Sequence, residues 1–223
     1  MVRGASGARV GGAGECGVTR PFGDLPRGHY GAILADPPWH FRARTALQVG
    51  NWTSRRDVVK HYPVMGIEEI MALPVRQLAA KDAHLFLWVT GPNLRNAFDV
   101  IDAWGFRYSG LGFTWVKLKR NYKAHQLRFL PTAEADLHIG LGLTTRKNTE
   151  LCLLARRGNA HRNAKDVREV ILAPVREHSR KPDEAAARIQ RYCDGPYLEL
   201  FARAERPGWD SWGDEVGKFE TAA

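Results

Sequence analysis

Six short stretches of the chain, at 31–35, 84–90, 112–116, 150–155, 170–172 and 197–202, are almost unbroken in apolar residues. Strict alternation would mark strands with one wet face. Continuous runs of this length mark strands buried on both faces. Helical patterns lie between them. One begins at 67–71 and is broken by Pro74. A second covers 93–104, with Leu94, Ala97, Val100, Ile101 and Trp104 on one face and Gly105 as its stop. A third covers 182–193 and opens on Pro182, Asp183 and Glu184, which suit the geometry and the dipole of a helix start. Strands alternating with helices predict an α/β sheet whose ligands meet the carboxyl ends of the strands. No internal repeat is visible. The stretches 39–63 and 119–145 are long loops, the kind of segment that carries binding.

Composition narrows the class. A chain of 223 residues, 44% hydrophobic, suits one domain with a full core. We place that domain at 21–218, between a disordered Gly/Ala/Arg-rich tail at 1–20 and a short tail at 219–223. No apolar run is long enough to cross a bilayer, and the N-terminus lacks the apolar stretch of a signal peptide. Cys16, Cys152 and Cys193 have no paired spacing, which argues against zinc and a disulfide framework and fits a reducing cytoplasm. The net charge of +9 is compatible with a polyanionic partner. The positive residues are clustered. Arg42, Arg44, Arg55, Arg56, Lys60 and His61 occupy the first loop. Lys117, Lys119, Arg120, Lys123, His125 and Arg128 form a second run, interleaved with Tyr122 and Phe129. Arg146 and Lys147 make a third group. Charge runs are commonly solvated faces, but basic loops beside strand ends favour nucleic acid.

The first apolar run stops on Asp36-Pro37-Pro38-Trp39. Asp-Pro alone is a common turn start. The whole tetrapeptide after a buried strand is far more specific. It places a carboxylate, a proline-held carbonyl and a large aromatic at the mouth of a sheet. Those groups suit methyl transfer to an exocyclic amine such as that of adenine. The amine is a poor nucleophile because its lone pair is delocalised into the ring. Asp36 and the Pro37 carbonyl can each accept one amine hydrogen, favouring the pyramidal form that develops during attack. Pro37 and Pro38 fix φ and add no competing N–H donor. Trp39 offers a stacking face for a base taken out of its helix. Asp36, Pro37, Pro38 and Trp39 are the expected catalytic set. No glycine-rich turn precedes them, and Gly140-Leu141-Gly142 comes before a strand, where it is a poor dinucleotide fingerprint.

Four later segments accompany the tetrapeptide. They are His84-Leu85-Phe86-Leu87-Trp88-Val89-Thr90-Gly91, Thr114-Trp115-Val116-Lys117, Ser179-Arg180-Lys181-Pro182-Asp183-Glu184 and Glu199-Leu200-Phe201-Ala202-Arg203. In this order the five motifs resemble the MT-A70 family of adenine-N(6) methyltransferases, typified by the catalytic subunit of the eukaryotic mRNA adenosine methyltransferase. The likeness runs from about Gly31 to about Val216.

The resemblance implies a Rossmann-like class I methyltransferase sheet with helices on both faces. The motif order is permuted, with the catalytic motif ahead of the cofactor-binding strand at 198–203. It implies S-adenosylmethionine as cofactor and no metal. The family's cofactor contacts carry over to Lys181, Arg203, Glu205, Arg206, Asp214 and Glu215. Lys181 and Arg203 would meet the methionine carboxylate, and the acidic residues would accept from ribose hydroxyls. The chain departs from the eukaryotic pattern in having Ala202 for glycine, Glu205-Arg206 for His-Asn and Asp214-Glu215 for Asn-Gln. On the substrate side the resemblance points to Tyr62 as a gate or stacking group and to Glu150 as a brace, with Asn148 beside it at the entry to the strand also expected to bind substrate. The basic Arg42, Arg44 and Lys117 are expected beside the substrate. The implied activity is methylation of adenine N(6) in nucleic acid. DNA is the first choice, because the chain carries neither the CCCH zinc-finger module nor the long helical dimerisation segment of the eukaryotic RNA enzymes. RNA is the alternative polymer. A catalytically silent nucleic-acid-binding subunit is the alternative class; its expected mark is a damaged tetrapeptide, and here the tetrapeptide is intact. Monomer and homodimer both stay open.

Overall fold

The computed structural model describes residues 21–39, 65–122, 136–140, 145–177 and 179–219. The elements, in chain order, are β1 (Tyr30–Ala35), α1 (Ile67–Ala72), α2 (Val75–Leu78), β2 (Ala79–Val89), α3 (Leu94–Ala103), β3 (Arg107–Leu118), β4 (Thr149–Arg157), β5 (Val170–Pro174), α4 (Asp183–Tyr192), β6 (Tyr197–Leu200) and β7 (Trp209–Trp212). The strands form one sheet in the order β5-β3-β4-β2-β1-β6-β7. β1 pairs in parallel with β2 on one side and β6 on the other. β3 with β5 and β6 with β7 are also parallel. Only β4 opposes them, antiparallel to both β2 and β3.

Two cores lie on opposite faces, as the continuous apolar runs require. Ile33, Ala35, Leu85, Leu87, Leu153 and Leu198 face one way and pack with Ile70, Val75, Val100 and Ile101 from the first three helices and with Trp104 just after the third. Ala32, Leu34, Phe86, Trp88, Phe113 and Cys152 face the other way and pack with Ala185, Ala186 and Ile189 of α4. The expected sheet with helices on both faces is therefore present. Pro74 does not simply end a helix; it stands immediately before α2. Pro182 likewise stands one residue ahead of α4, whose first turn holds Asp183 and Glu184. Neither β7 nor α2 was expected from the pattern. The 1–20 tail lies outside the described residues. No described helix is long and apolar enough to cross a membrane.

Trp104, just after α3, is fully buried, and its indole N–H donates to the Ile70 carbonyl of α1 at 2.9 Å. Trp104→Ala is expected to cost about 3–5 kcal/mol, because it leaves a large cavity and an unpaired carbonyl. The chemical denaturation midpoint measures this.

Two directions of travel separate at β1 and β6. From β1 the chain crosses through α1 and α2 to β2 on one side. From β6 it goes to β7 on the other. The crevice at the carboxyl ends of β1 and β6 is thus a topological switch point, where open α/β sheets bind ligands.

Candidate active site

A cleft opens at that point, enclosing about 470 Å³ including its mouth. Leu34 comes from β1 and Asp36 from just beyond its end, Glu199 from β6, and Phe201, Arg203 and Arg206 from the turn after it. Ser179 and Lys181 come from the segment before α4. Ser179 and Phe201 are the non-glycine residues with left-handed backbone among the described residues, at φ 61° and 60°. Both line the cleft, where such strain concentrates in functional sites. Gly213 closes the turn from behind. A Cβ there would stand 2.7 Å from the Ala202 carbonyl oxygen and 2.8 Å from its nitrogen, so only glycine lets the chain after β7 pass this close.

Asp36 stands at the carboxyl end of β1. Its Oδ2 accepts from Lys181 Nζ at 2.7 Å and from Arg203 Nη2 at 3.1 Å. Lys181 also reaches Glu150 Oε1 at 3.0 Å, and Lys117 Nζ reaches Glu150 Oε2 at 2.6 Å. Arg203 donates to Ser179 Oγ at 3.2 Å and lies 3.9 Å from Glu215 Oε2. The Asp36, Glu150 and Lys181 side chains are only 17%, 10% and 10% exposed, so these charges depend on one another. Burial alone would lift the Glu150 carboxyl. The ammoniums of Lys181 and Lys117 outweigh it and hold the group below the usual carboxylate range. Burial alone would lower Lys181. The carboxylates of Asp36 and Glu150 outweigh it and raise the ammonium above its ordinary value.

A second ion-pair cluster reaches the cleft through Glu199 and Arg206. Arg206 donates to Glu199 Oε2 at 2.7 Å and to Asp183 Oδ1 at 2.9 Å, and Arg176 meets Asp183 Oδ2 at 2.5 Å. Burial pushes Glu199 up, more than Arg206 pulls it down. Burial also pushes Asp183 up, but Arg176 and Arg206 reverse this and hold it low. Trp88 lies under the cleft with Lys181 5.7 Å from its ring. Its buried Nε1 has no hydrogen-bond partner among the described residues.

The tetrapeptide is held rigidly. The Pro37 carbonyl accepts the Trp39 N–H at 2.8 Å, and the Pro38 carbonyl accepts from Met65 N at 3.0 Å. A carbonyl keeps a second lone pair, so Pro37 remains able to accept once more. The stacking role expected of Trp39 needs correction. Trp39 is 6% exposed, packed in the core, with its indole N–H on the Trp88 carbonyl at 3.0 Å. It anchors the turn rather than presenting a face.

The other expected residues divide. Lys181, Arg203 and Arg206 line the cleft, and Glu215 reaches it through Arg203. Glu205 and Asp214 are exposed and do not line it. Lys117, expected beside the substrate, turns to Glu150 and sits 4.8 Å from the Trp115 ring. Asn148 contributes its carbonyl, which accepts the Lys117 N–H at 2.8 Å. Tyr62, Arg42 and Arg44 lie outside the described residues.

The MT-A70 family profile matches residues 30–215. The chain belongs to the MT-A70 family. It is 30% identical over 208 residues to the type II methyltransferase M.MunI of Mycoplasma sp, covering 87% of this chain and 81% of that protein. It is 31% identical over 193 residues to the N(6)-adenosine-methyltransferase MT-A70-like protein of Arabidopsis thaliana, covering 85% of this chain but 24% of the relative. The human N(6)-adenine-specific methyltransferase METTL4 is 29% identical over 199 residues, covering 86% of this chain and 38% of the relative. The chain thus spans most of the Mycoplasma protein and about a quarter of the plant one.

In this MT-A70 chain the sequence reading missed Glu199, Asp183, Ser179 and Arg176. Glu199 carried a signal. An acidic residue inside a strand buried on both faces needs a cationic partner. Asp183 reads in the sequence as a helix start within a family motif, not as a partner of Arg206, and Arg176 carries no signal.

Proposed function

We propose that the chain transfers a methyl group from S-adenosylmethionine to the exocyclic N(6) amine of adenine in DNA. The observation that carries the reading is the placement of Asp36, from a tetrapeptide suited to amines, between Lys181 and Arg203 at the switch point of the sheet. The donor set fits the cofactor. Lys181 and Arg203 suit its carboxylate. Glu199 suits its ammonium, and Glu215 suits a ribose hydroxyl. Bound there, the cofactor would supply a methyl group already activated on a positively charged sulfur.

The chain's own residues then position the amine. Asp36 and the second lone pair of the Pro37 carbonyl accept its hydrogens, which localises the nitrogen lone pair for attack. Asp36 acts as a positioning acceptor, and the proton leaves after attack, when the amine has become acidic. Trp39 and Met65 keep the tetrapeptide from shifting. The basic loops would carry phosphate contacts.

DNA is preferred to RNA because M.MunI is matched along most of its length, while the plant adenosine methyltransferase is matched over only a quarter. Mass spectrometry of nucleosides from the DNA and RNA of cells expressing the chain tests this. Methylated adenine is expected in DNA and not in RNA, and it should vanish with an Asp36→Ala control. Methylation confined to RNA would transfer the assignment to the other polymer.

A further inference from the structure

We propose that Lys117 is a positioning residue for methyl transfer, acting on Asp36 through Glu150 and Lys181 rather than touching the substrate. The proposal rests on the adenine methyltransferase reading above.

Four charges of alternating sign form a continuous line from β3 to the end of β1. Lys117 Nζ lies 2.6 Å from Glu150 Oε2. Glu150 Oε1 lies 3.0 Å from Lys181 Nζ, and Lys181 Nζ lies 2.7 Å from Asp36 Oδ2. Lys181 therefore divides one ammonium between two carboxylates. Its division decides how much of the Asp36 charge remains for an amine. A fully ionised Glu150 draws Lys181 toward itself. A protonated Glu150 releases it to Asp36, which then becomes a weaker acceptor.

Lys117 controls that choice. Glu150 is faced by Lys117 from β3 and by Lys181 from the segment before α4. Asp36 lies beyond Lys181, and Cys152, two residues along β4, points into the same core. The backbone N–H of His138 donates to the Lys117 carbonyl at 2.8 Å; burial and then Lys117 hold the His138 imidazole below its usual range. Lys117 and Lys181 are the cations that outweigh the burial of Glu150. With Lys117 gone, one of the two cations that offset burial is lost, and Glu150 would take up its proton at higher pH. Lys117 itself is 23% exposed, and the unbranched methionine side chain keeps most of its stem in place.

The test compares Lys117→Met and Lys117→Arg with the unmodified chain. It reads the pH dependence of turnover and the pH dependence of S-adenosylhomocysteine affinity by calorimetry. It also reads the salt dependence of binding to a DNA duplex. For Lys117→Met, the acid limb of the rate profile should move up by about one pH unit or more. The affinity profile, which depends on Lys181, should move with it. The rate at neutral pH should fall about tenfold, and Lys117→Arg should restore both profiles. The slope of log affinity against log salt should not change.

A lowered melting temperature with both pH profiles unmoved would overturn the proposal and leave a merely structural ion pair. A salt slope flattened by about one unit with unmoved profiles would also overturn it, because Lys117 would then be a phosphate contact. Calorimetry needs no turnover. If the unmodified chain bound S-adenosylhomocysteine yet methylated nothing, the adenine assignment would fail, while the affinity profile would still decide the coupling of Lys117 to Lys181.

Discussion

Asp36→Ala should slow methyl transfer by about a hundredfold or more while leaving S-adenosylhomocysteine affinity intact or improved. The rate effect follows from losing a charged acceptor aimed at the amine in the transition state, worth ~3 kcal/mol or more. The affinity effect follows from the observed ion pairs. Lys181 and Arg203 both spend part of their charge on Asp36 Oδ2. With that carboxylate removed, both cations are freer to meet a carboxylate from the ligand. Single-turnover kinetics and calorimetry read the two quantities separately. Asp36→Asn should show the same rate loss, since an amide offers a weaker acceptor and a competing donor. Near-native turnover in either variant would remove Asp36 from the chemistry.

Lys181→Met should be the most damaging single change in the cleft to stability. It leaves Asp36 without one of its two cations and Glu150 with Lys117 alone, in a site where these side chains are nearly buried. Breaking a buried pair by removing one partner typically costs about 3–5 kcal/mol. Chemical denaturation should show that loss. In the fraction that remains folded, S-adenosylhomocysteine affinity should fall at least about tenfold, the loss of one charge-assisted bond. The sign of the pH dependence is fixed by the partners. Glu150 is held low, so its favourable contribution is present above the ordinary carboxylate range and is lost as pH falls through its lowered value. In Lys181→Met that loss should begin at higher pH. An unchanged denaturation midpoint with unchanged affinity would mean that Lys181 is neither the keystone of the ion-pair line nor a cofactor contact.

The fold was legible wherever burial on both faces forced a continuous apolar run. That condition holds for β1 and the central parts of β2 and β4, while in β3 and β6 buried positions alternate with half-buried ones. It fails for β7. Trp209-Asp210-Ser211-Trp212 is an edge strand with two polar residues in the middle, and only Trp209 is buried. It fails also for the first turns of β2 and β3, where Lys81, Asp82, Arg107 and Tyr108 extend past the core. The helix 93–104 was legible because Ala97, Val100, Ile101 and Trp104 follow the helical period onto one buried face.

The site was legible as a set of residues and not as a set of contacts. Asp36, Lys181 and Arg203 could be nominated one at a time. Their pairing joins positions 145 and 167 residues apart and exists only because β6 returns beside β1. The same topology turned Lys117 toward Glu150 and placed Trp39 in the core. Residue type alone would have left both facing a substrate. The partner of Glu199 was hidden for a related reason. That cation, Arg206, lies beyond the strand, in a turn whose shape depends on the close approach of Gly213.

The most direct measurement is methyl transfer by the purified chain from deuteromethyl-labelled S-adenosylmethionine to adenine-containing DNA, with the product digested and the labelled position assigned by mass spectrometry. The expected result is label on the exocyclic N(6) of adenine, absent with Asp36→Ala although that variant still binds S-adenosylhomocysteine. Label on cytosine or on a ring nitrogen, or an Asp36→Ala variant that methylates as fast as the unmodified chain, would contradict it.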